Sequence, residues 1–317
     1  MGAGMQLSDR IGRRIKLHDL HLLLTVVQAG SMSKAAALLH TTQSAISRSI
    51  SELEQTIGVR LLDRGPHGVE PTQYGRTLIK HGLIAFDELK QGVKNIEFLA
   101  DPTAGEVRIG SIPPLVGFGS AVIDRLSRRH PRIVFRLVTG RIEALHRELS
   151  ERSVDLLITR RLGPMEGREL AFETLYEDPF LVVAGAQNPW VRRRKIELTE
   201  LVNEAWVLPE PESAIGEFIK EAFRANGLDY PRATVVTLPV DVFSLIATGR
   251  FLGIAAASTL RLPTKHSEIK ALPVQLPLAC VPNGIVTLKN RTLSPVAQLF
   301  IEHAREVAKP LARLWRK

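Results

Sequence analysis

The sequence has a single cysteine among its 317 residues, and aromatic residues make up only 5% of it. Cys280 therefore has no partner for an intrachain disulfide, and a zinc site built from several cysteines is excluded. No apolar run approaches the roughly 18 residues that a membrane-spanning helix requires. Residues 1–16 lack the apolar segment of a secretory signal. We therefore expect a cytoplasmic protein that has no membrane partner.

Motifs of common enzymes are missing as well. The sequence contains no Gly-x-Ser-x-Gly elbow, no glycine-rich phosphate loop and no His-Glu-x-x-His pair. Its nine histidines are scattered, and Cys280 lies in an apolar stretch, which predicts a small buried side chain. We expect no enzyme activity, no metal and no cofactor.

The length, composition and charge are compatible with a binding protein. At roughly 100–200 residues per domain the chain predicts two domains, and 44% hydrophobic residues suffice for large cores. The net charge of +9 suits a nucleic-acid partner without establishing one. The densest basic run, residues 192–195, is expected to be a solvated loop.

The N-terminal ninety residues have the period of short helices. Leu17, Leu20, Leu24 and Val27 form a one-sided apolar stripe that Gly30 interrupts. Ser31 or Ser33 can cap a second helix, and Thr41-Thr42 can cap a third, which continues to Thr56 before Gly58. Three short helices joined by tight turns predict a helix-turn-helix.

The third helix has one apolar and one polar face. At about 100° per residue, Ile46, Ile50, Leu53 and Ile57 fall within an arc of about 60°. An adjoining arc of about 140° holds a polar set: Gln43, Ser44, Ser47, Arg48 and Ser51. Glutamine suits adenine, arginine suits guanine, and hydroxyls suit phosphates. Periodicity alone is equally compatible with an ordinary amphipathic surface helix.

A hairpin follows the third helix. Val59–Asp63 predicts a strand, residues 65–68 a turn, and Val69 the start of a return strand. A hairpin directly after three helices is a wing. Arg64 at its base is placed to contact a phosphate, whereas His67 either approaches a groove or is an exposed turn residue.

Thr72 then caps a long helix with an apolar seam. The seam follows alternating steps of three and four residues through Ile79, Gly82, Phe86, Leu89, Val93 and Ile96. Residues 72–99 would span about 42 Å at 1.5 Å per residue. Such a helix is too long to bury its seam in a small domain, so we expect it to pair with a second copy. Packing within its own chain is the alternative.

Beyond a hinge at residues 101–105 the pattern alternates between strands and helices, which predicts an α/β architecture. Open α/β sheets bind ligands outside the carboxyl ends of their strands. Helix N-termini also favour anionic or hydroxyl-bearing groups. Candidate effector-binding residues at such positions are Ser111, Ile112, Pro113, Thr139, Thr159, Arg160, Ser213 and Val240.

These N-terminal motifs together resemble the DNA-binding domain of LysR-type transcriptional regulators. The residues that carry the resemblance are Ala29–Ala36, Leu39–Arg48, Leu53-Glu54, Gly58–Arg64 and Thr72. The resemblance implies a winged helix-turn-helix with Arg64 on the DNA backbone. The DNA-binding set that we assign is Ser33, Thr42, Gln43, Ser44, Ser47, Arg48, Arg64 and His67. Ser44, Leu62 and the weakly basic wing depart from the family pattern, and the last difference argues against strong wing contacts.

The remainder resembles the family's effector domain, which implies two α/β lobes hinged like a periplasmic binding protein. Ser111, Thr139 and Arg160 fall at matching positions for an inducer between the lobes. The predicted fold is therefore α + α/β. Its parts are a winged domain at 16–73, a dimerisation helix at 74–100 and an effector-binding domain at 105–310. The first lobe covers about 105–165 and 270–310, and the second lobe about 166–269.

The function predicted from these parts is a LysR-type regulator that binds a dyad-symmetric promoter site under control of an inducer. The inducer is a sugar, an aromatic acid or an organic acid. The expected partners are double-stranded DNA, this inducer, a second copy or a tetramer of the chain, and RNA polymerase. An exported solute-binding protein and an α/β enzyme with an accessory DNA-binding domain are the alternatives.

Overall fold

The computed structural model describes residues 11–65, 68–163, 169–232, 234–236, 242–262 and 268–314. The chain divides into two compact units, which meet between Lys90 and Gln91. Each unit is described by itself below.

The first unit is the predicted three-helix domain with a hairpin. Its elements are α1 (Leu17–Ala29), α2 (Met32–Leu38), α3 (Gln43–Ile57), β1 (Leu62–Gly65), β2 (Gly68–Pro71) and the start of α4 (Gln73–Ala100). The two strands are antiparallel, and their register pairs Leu62 with Pro71 and Gly65 with Gly68. The predicted helix-turn-helix and wing hairpin are confirmed, although β1 covers Leu62–Gly65 and not the predicted Val59–Asp63.

Local capping residues set the helix boundaries. The Oγ1 of Thr42 accepts a hydrogen bond from the backbone N–H of Ala45 at 3.2 Å. Ser31, rather than Ser33, caps α2 by accepting from Lys34 N at 3.1 Å. Gly58 ends α3 in the left-handed conformation, with φ 87°, which explains the glycine at that position.

The apolar face of α3 forms the centre of this unit's core. Ile46, Ile50 and Leu53 are each at most 2% exposed and pack with Leu23 and Val26 of α1. Because the whole apolar arc is buried, the polar arc is left on the surface.

The long helix α4 does not use its apolar seam uniformly. Ile79 packs against the core of the first unit, a Cβ at Gly82 would lie 3.9 Å from Leu24 Cδ1, and the Phe86 ring lies 6.0 Å from that of His21. By contrast, Leu89, Val93 and Ile96 are 52%, 55% and 68% exposed. The expectation of one continuous seam is wrong, because α1 of the same chain covers its N-terminal half.

The second unit begins with the predicted alternation of strands and helices. Its first elements are β3 (Ala104–Ser111), α5 (Val116–Ser127), β4 (Arg132–Thr139), α6 (Ile142–Ser150), β5 (Leu156–Arg160) and β6 (Leu170–Asp178). Then come β7 (Phe180–Gly185), β8 (Trp206–Leu208), α7 (Ala214–Ala225), β9 (Val235–Val236) and α8 (Val242–Ala247). The last elements are β10 (Leu252–Ala256), β11 (Ile269–Ala271), β12 (Val281–Leu288) and α9 (Pro295–Leu314).

These strands form two five-stranded sheets, one in each lobe. The first sheet has the order β4-β3-β5-β12-β6, in which β3 runs parallel to β4 and β5 while β12 is antiparallel to its neighbours. The second sheet has the order β11-β7-β10-β8-β9. The chain passes from the first sheet to the second at Pro179 and returns between Ala271 and Val281.

The first crossing corrects the predicted lobe boundary. The second lobe is expected from residue 166, whereas β6 pairs with β12 in the first sheet from Leu170↔Leu288 to Asp178↔Val281. The partner strand lies about a hundred residues further along the chain, so no local pattern could assign β6 to its sheet. Cys280, expected to be buried, is exposed just before β12, because it lies in the segment that crosses between the sheets.

Candidate DNA interface and effector cleft

The polar face of α3 is a continuous exposed surface. Thr42, Gln43, Ser44 and Arg48 are exposed, and Ser47 is half-buried between them and the core. The side chains that could contact a double helix are therefore not enclosed by the protein's own interior. The exposed face favours a recognition helix over a helix packed on both sides.

Two hydrogen bonds join α3 to neighbouring elements through residues assigned to the same surface. The Ser33 hydroxyl, at the start of α2, donates to Gln43 Oε1 at 2.8 Å. Arg64 on β1 donates from Nη1 to Ser47 Oγ at 3.1 Å. The structure thus brings Ser33, Gln43, Ser47 and Arg64 together on one face, although Arg64 comes from the wing. His67 lies outside the described residues.

The wing is held to α3 by Glu54, which is among the residues that carry the family resemblance but for which the sequence predicts no contact. Glu54 Oε1 accepts hydrogen bonds from the backbone N–H groups of Leu61 at 2.7 Å and Leu62 at 3.1 Å. The return strand is attached on its other side, where Val69 N donates to Gly30 O at 3.0 Å. Glu54 lies off the polar arc of α3, so only the position of β1 reveals its role.

The predicted effector residues of the first lobe meet at the carboxyl edge of its parallel strands. The register places Ser111 of β3 beside Thr139 of β4 and Ile158 of β5, the residue before Thr159. Ser111 is fully buried, and its hydroxyl donates to Ile112 O at 3.1 Å. Pro113 begins a short 3-10 turn directly behind this edge. The register thus brings these strand ends together, whereas ligand contact by these residues stays a prediction.

The second lobe contributes the N-terminus of α7. Ser213 caps this helix by accepting from Gly216 N at 3.1 Å, and its own hydroxyl donates to Glu210 O at 2.6 Å. Its oxygen is thus already engaged in local structure. Val240, the other candidate in this lobe, lies outside the described residues.

A buried polar cluster that the sequence does not predict lies at the crossing between the sheets. Asp178, the last residue of β6, is fully buried and accepts hydrogen bonds from Ser258 N at 3.0 Å, from the Ser258 hydroxyl and from Asn283 Nδ2 at 2.9 Å. Burial raises the pKa of Asp178, and these hydrogen bonds and the nearby Arg160 guanidinium oppose that rise. Burial likewise raises the pKa of Tyr176, two residues earlier.

This cluster joins residues that are far apart in sequence. Ser258 follows β10 of the second lobe, and Asn283 is on β12 of the first lobe. Asp178 therefore links β6, β12 and the segment after β10 through hydrogen bonds to one side chain. No spacing pattern in the sequence signals such a contact.

Two family models divide the chain as the fold does. The model described as "Bacterial regulatory helix-turn-helix protein, lysR family" matches residues 17–76, and the "LysR substrate binding domain" matches residues 100–309. The chain belongs to the LysR family. LysR-type regulators are DNA-binding transcriptional regulators with an effector-binding domain, and this is the organisation seen here.

Individual LysR relatives match nearly the whole chain. The transcriptional regulator GbpR of Azospirillum brasilense is 26% identical over 295 residues, covering 92% of this chain and 86% of its own. The structure of a full-length OxyR variant from Pseudomonas aeruginosa superposes with a TM-score of 0.65 at 18% identity, covering 94% and 97% of the two chains. Full-length CbnR complexed with its target DNA gives a TM-score of 0.54 at 18% identity, with 93% and 100% covered. These solved structures share the fold of this LysR protein.

The described part of this LysR chain lacks two kinds of feature. No helix there combines the length and apolarity needed to cross a membrane. Nor do those residues contain a group of three or more histidine, cysteine, aspartate or glutamate side chains arranged to hold a metal ion.

Proposed function

We propose that this regulator binds a dyad-symmetric promoter site as a dimer through the polar face of α3. The observation that carries the proposal is the exposed cluster in which Gln43 and Arg64 are each oriented by a hydroxyl group. Side chains held in one geometry lose less conformational entropy when they bind a target. A small-molecule inducer between the lobes would shift the DNA-bound arrangement only if it binds the two arrangements with different affinity.

The contacts divide into base recognition and backbone binding. Gln43 can exchange two hydrogen bonds with an adenine edge, and Arg48 can donate to guanine. The Ser33 hydroxyl occupies one lone pair of Gln43 Oε1 and leaves the amide N–H donors available. Arg64, Thr42 and Ser44 are suited to phosphates.

The test uses a DNA duplex that the wild-type protein selects from a random pool. Gln43→Ala should lower the preference for this duplex over a scrambled one by about 1–3 kcal/mol, because a bidentate pair of hydrogen bonds to a base is removed. Arg64→Gln should instead weaken binding to both duplexes and reduce the salt slope by about 0.9 for each phosphate that is no longer neutralised. Affinity is measured by fluorescence anisotropy across a salt titration.

The matched controls are residues of the same type elsewhere. Gln55 is exposed on the same helix, about 18 Å from Gln43 at 1.5 Å per residue, and Gln55→Ala should leave base preference unchanged. Arg224→Gln removes an exposed charge from α7 and should leave the salt slope unchanged. Wild-type behaviour of both Gln43→Ala and Arg64→Gln would refute the contact assignment.

The dimer is proposed to form through the exposed half of α4. Leu89, Val93 and Ile96 repeat on one face with heptad spacing, and exposed apolar side chains in a row are typical of an interface. Leu89→Asp together with Val93→Asp should yield monomers in analytical ultracentrifugation. Ile79 is excluded from this test because it packs in the core of its own unit. An unchanged mass would place the interface elsewhere.

The remaining partners follow from this function. Because the regulator acts on chromosomal DNA, we place it in the cytoplasm and expect it to act on RNA polymerase. The cleft binds its inducer without converting it. Turnover of a bound inducer would contradict this and favour an enzyme.

A further inference from the structure

Arg160, the last residue of β5, has one edge of its guanidinium without an acceptor. Its Nε and Nη2 atoms are inaccessible to solvent, and no described residue accepts a hydrogen bond from either. These two nitrogens lie side by side and form the fork with which arginine binds the two oxygens of a carboxylate. A buried donor without an acceptor costs free energy, so an empty fork needs an explanation.

The flat face of the same guanidinium lies against an aromatic ring. The Arg160 Cζ is 5.2 Å from the centre of the Phe180 ring, and the Phe180 ring is 5.4 Å from that of Phe218. Phe180 begins β7, and Phe218 is on α7. The rings fix the plane of the guanidinium where the first lobe meets the second, and its Nε–Nη2 edge has no acceptor among the described residues.

Asp178 is the nearby acid, yet it does not fill the fork. It attracts Arg160 electrostatically, but its hydrogen bonds go to Ser258 and Asn283, and the two charged groups form no ion pair. The Tyr176 hydroxyl lies close to Ser258 and Asn283 without reaching hydrogen-bond geometry. Asn283 Oδ1 is also buried without a partner among the described residues.

We propose that Arg160 binds the carboxylate of the effector through its Nε and Nη2 atoms, so that the effector is a small monocarboxylic acid. The inference rests on the proposed function, in which the cleft between the lobes binds a small molecule. Tyr176 and Asn283 supply a hydroxyl and an amide oxygen for a second polar group of the ligand, and the Phe180 and Phe218 rings border its apolar part.

Charge balance distinguishes a monocarboxylate from the other candidates. A neutral sugar can accept a hydrogen bond from the fork but offers neither the negative charge nor the paired oxygens that match it. A phosphate ester would bring up to two negative charges close to Asp178, and like charges repel strongly where water is excluded. One carboxylate brings a single negative charge and accepts from both free donors.

The experiment measures the melting temperature of the full-length protein with three acids and their amides. The pairs are formate with formamide, acetate with acetamide, and benzoate with benzamide, all at the same ionic strength. Ligands that bind the folded state raise the melting temperature by mass action. We expect the acids to stabilise the protein and the amides not to. Equal effects of acids and amides, or no effect of any acid, would overturn the proposal.

Variants locate the effect at the fork. Arg160→Gln should raise at least tenfold the acid concentration needed for a given rise in melting temperature. Arg160→Lys, which keeps the charge but lacks the fork, should give an intermediate loss. Arg161→Gln is the matched control, because Arg161 is the next residue and lies over a different ring, that of Phe172, at 5.2 Å. A full response in Arg160→Gln would overturn the proposal.

A purely structural role for Arg160 predicts a different pattern. If Arg160 served only as the counter-charge of Asp178, Arg160→Gln would lower the melting temperature without ligand, and adding Asp178→Asn would restore it. The proposal instead expects the ligand-free melting temperature of Arg160→Gln to be unchanged or raised, because a desolvated cation is removed. Selective DNA binding is measured on the same samples. Selective DNA binding without a response to the acids would overturn only this inference, whereas a lack of selective DNA binding would overturn the proposed function.

Discussion

The two units of this protein differ in how far apart in sequence their contacting residues lie. In the first unit, the hydrogen bonds that build the candidate DNA surface join residues 10 apart, as in Ser33 to Gln43, or 17 apart, as in Arg64 to Ser47. In the second unit, Asp178 is bonded to Ser258 and Asn283, which lie 80 and 105 residues away. The first unit is thus organised by local sequence, and the second by contacts between distant segments.

This difference explains how each candidate site arises. The helical period decides which side chains of α3 are buried and which are exposed, because a surface helix packs its apolar face on the domain core and leaves its polar face in solvent. The effector cleft instead exists only after strands from both ends of the second unit have paired. A mutation that breaks a long-range contact should therefore affect the second unit alone.

The largest expected effect comes from the buried ion pair of the second unit. Arg291 Nη2 lies 3.0 Å from Asp155 Oδ1, and the two side chains are 2% and 4% exposed. Arg291→Met leaves the buried Asp155 carboxylate with the more distant Lys94 Nζ, at 3.8 Å, as its counter-charge, which should cost about 3 kcal/mol of unfolding free energy. Calorimetry of the full chain should show a lower transition for the second unit and an unchanged transition for the first.

An exposed pair of the same unit is the control for that measurement. Arg305 Nε is 2.6 Å from Glu173 Oε1, but the two side chains are 51% and 41% exposed. Arg305→Met should cost no more than about 1 kcal/mol, because water screens the pair. If Arg291→Met lowered both transitions equally, the units would not unfold independently and the comparison would fail.

An intermediate effect is expected from the contact that holds the wing to α3. Glu54→Ala removes the acceptor of the Leu61 and Leu62 backbone N–H groups, which should cost about 2 kcal/mol in the first unit. DNA affinity should fall while base preference is kept, since the side chain of Gln43 is untouched. Denaturant unfolding and anisotropy measure the two quantities.

Glu52→Ala serves as the control for Glu54→Ala, because Glu52 is exposed on the same helix. Its effect on stability should stay within about 0.5 kcal/mol. Equal losses in the two variants would show that helix charge, and not the two hydrogen bonds, explains the change.

The smallest expected effect is a pH dependence of the second unit. Because burial raises the folded-state pKa of Asp178 above its ordinary 3.8, protonation of Asp178 favours the folded state. This contribution is fully present below pH 3.8 and is lost as the pH rises through the raised pKa. Arg160 and Tyr176 face the carboxyl, and the Cys280 thiol also interacts with it.

The measurement compares melting temperatures of the wild type and Asp178→Asn from about pH 4 to pH 7. The wild type should lose stability relative to the variant as the pH rises, because only the wild type must bury a carboxylate. A difference that is constant with pH would show that Asp178 has the same protonation state throughout.

The local architecture of this regulator could be predicted from its amino-acid sequence. Thr42 and Thr72 cap their helices as expected, Gly58 ends α3, and the predicted faces of α3 are buried and exposed as the period requires. The meeting of Ser111, Thr139 and Thr159 at one sheet edge also followed from the order of strands and helices. Each of these features depends on residues close together in the chain or on a general rule of α/β topology.

The remaining features depend on tertiary contacts that the sequence does not reveal. Packing between elements placed β6 in the first sheet, covered half of the α4 seam with α1, gave Glu54 its role in the wing and left the Arg160 fork without an acceptor. Each outcome depends on which backbone or side chain of another element packs beside the residue. Strand pairing and burial are set by the whole fold. The sequence around a hydrogen-bond donor or an apolar face does not show which partner it will contact.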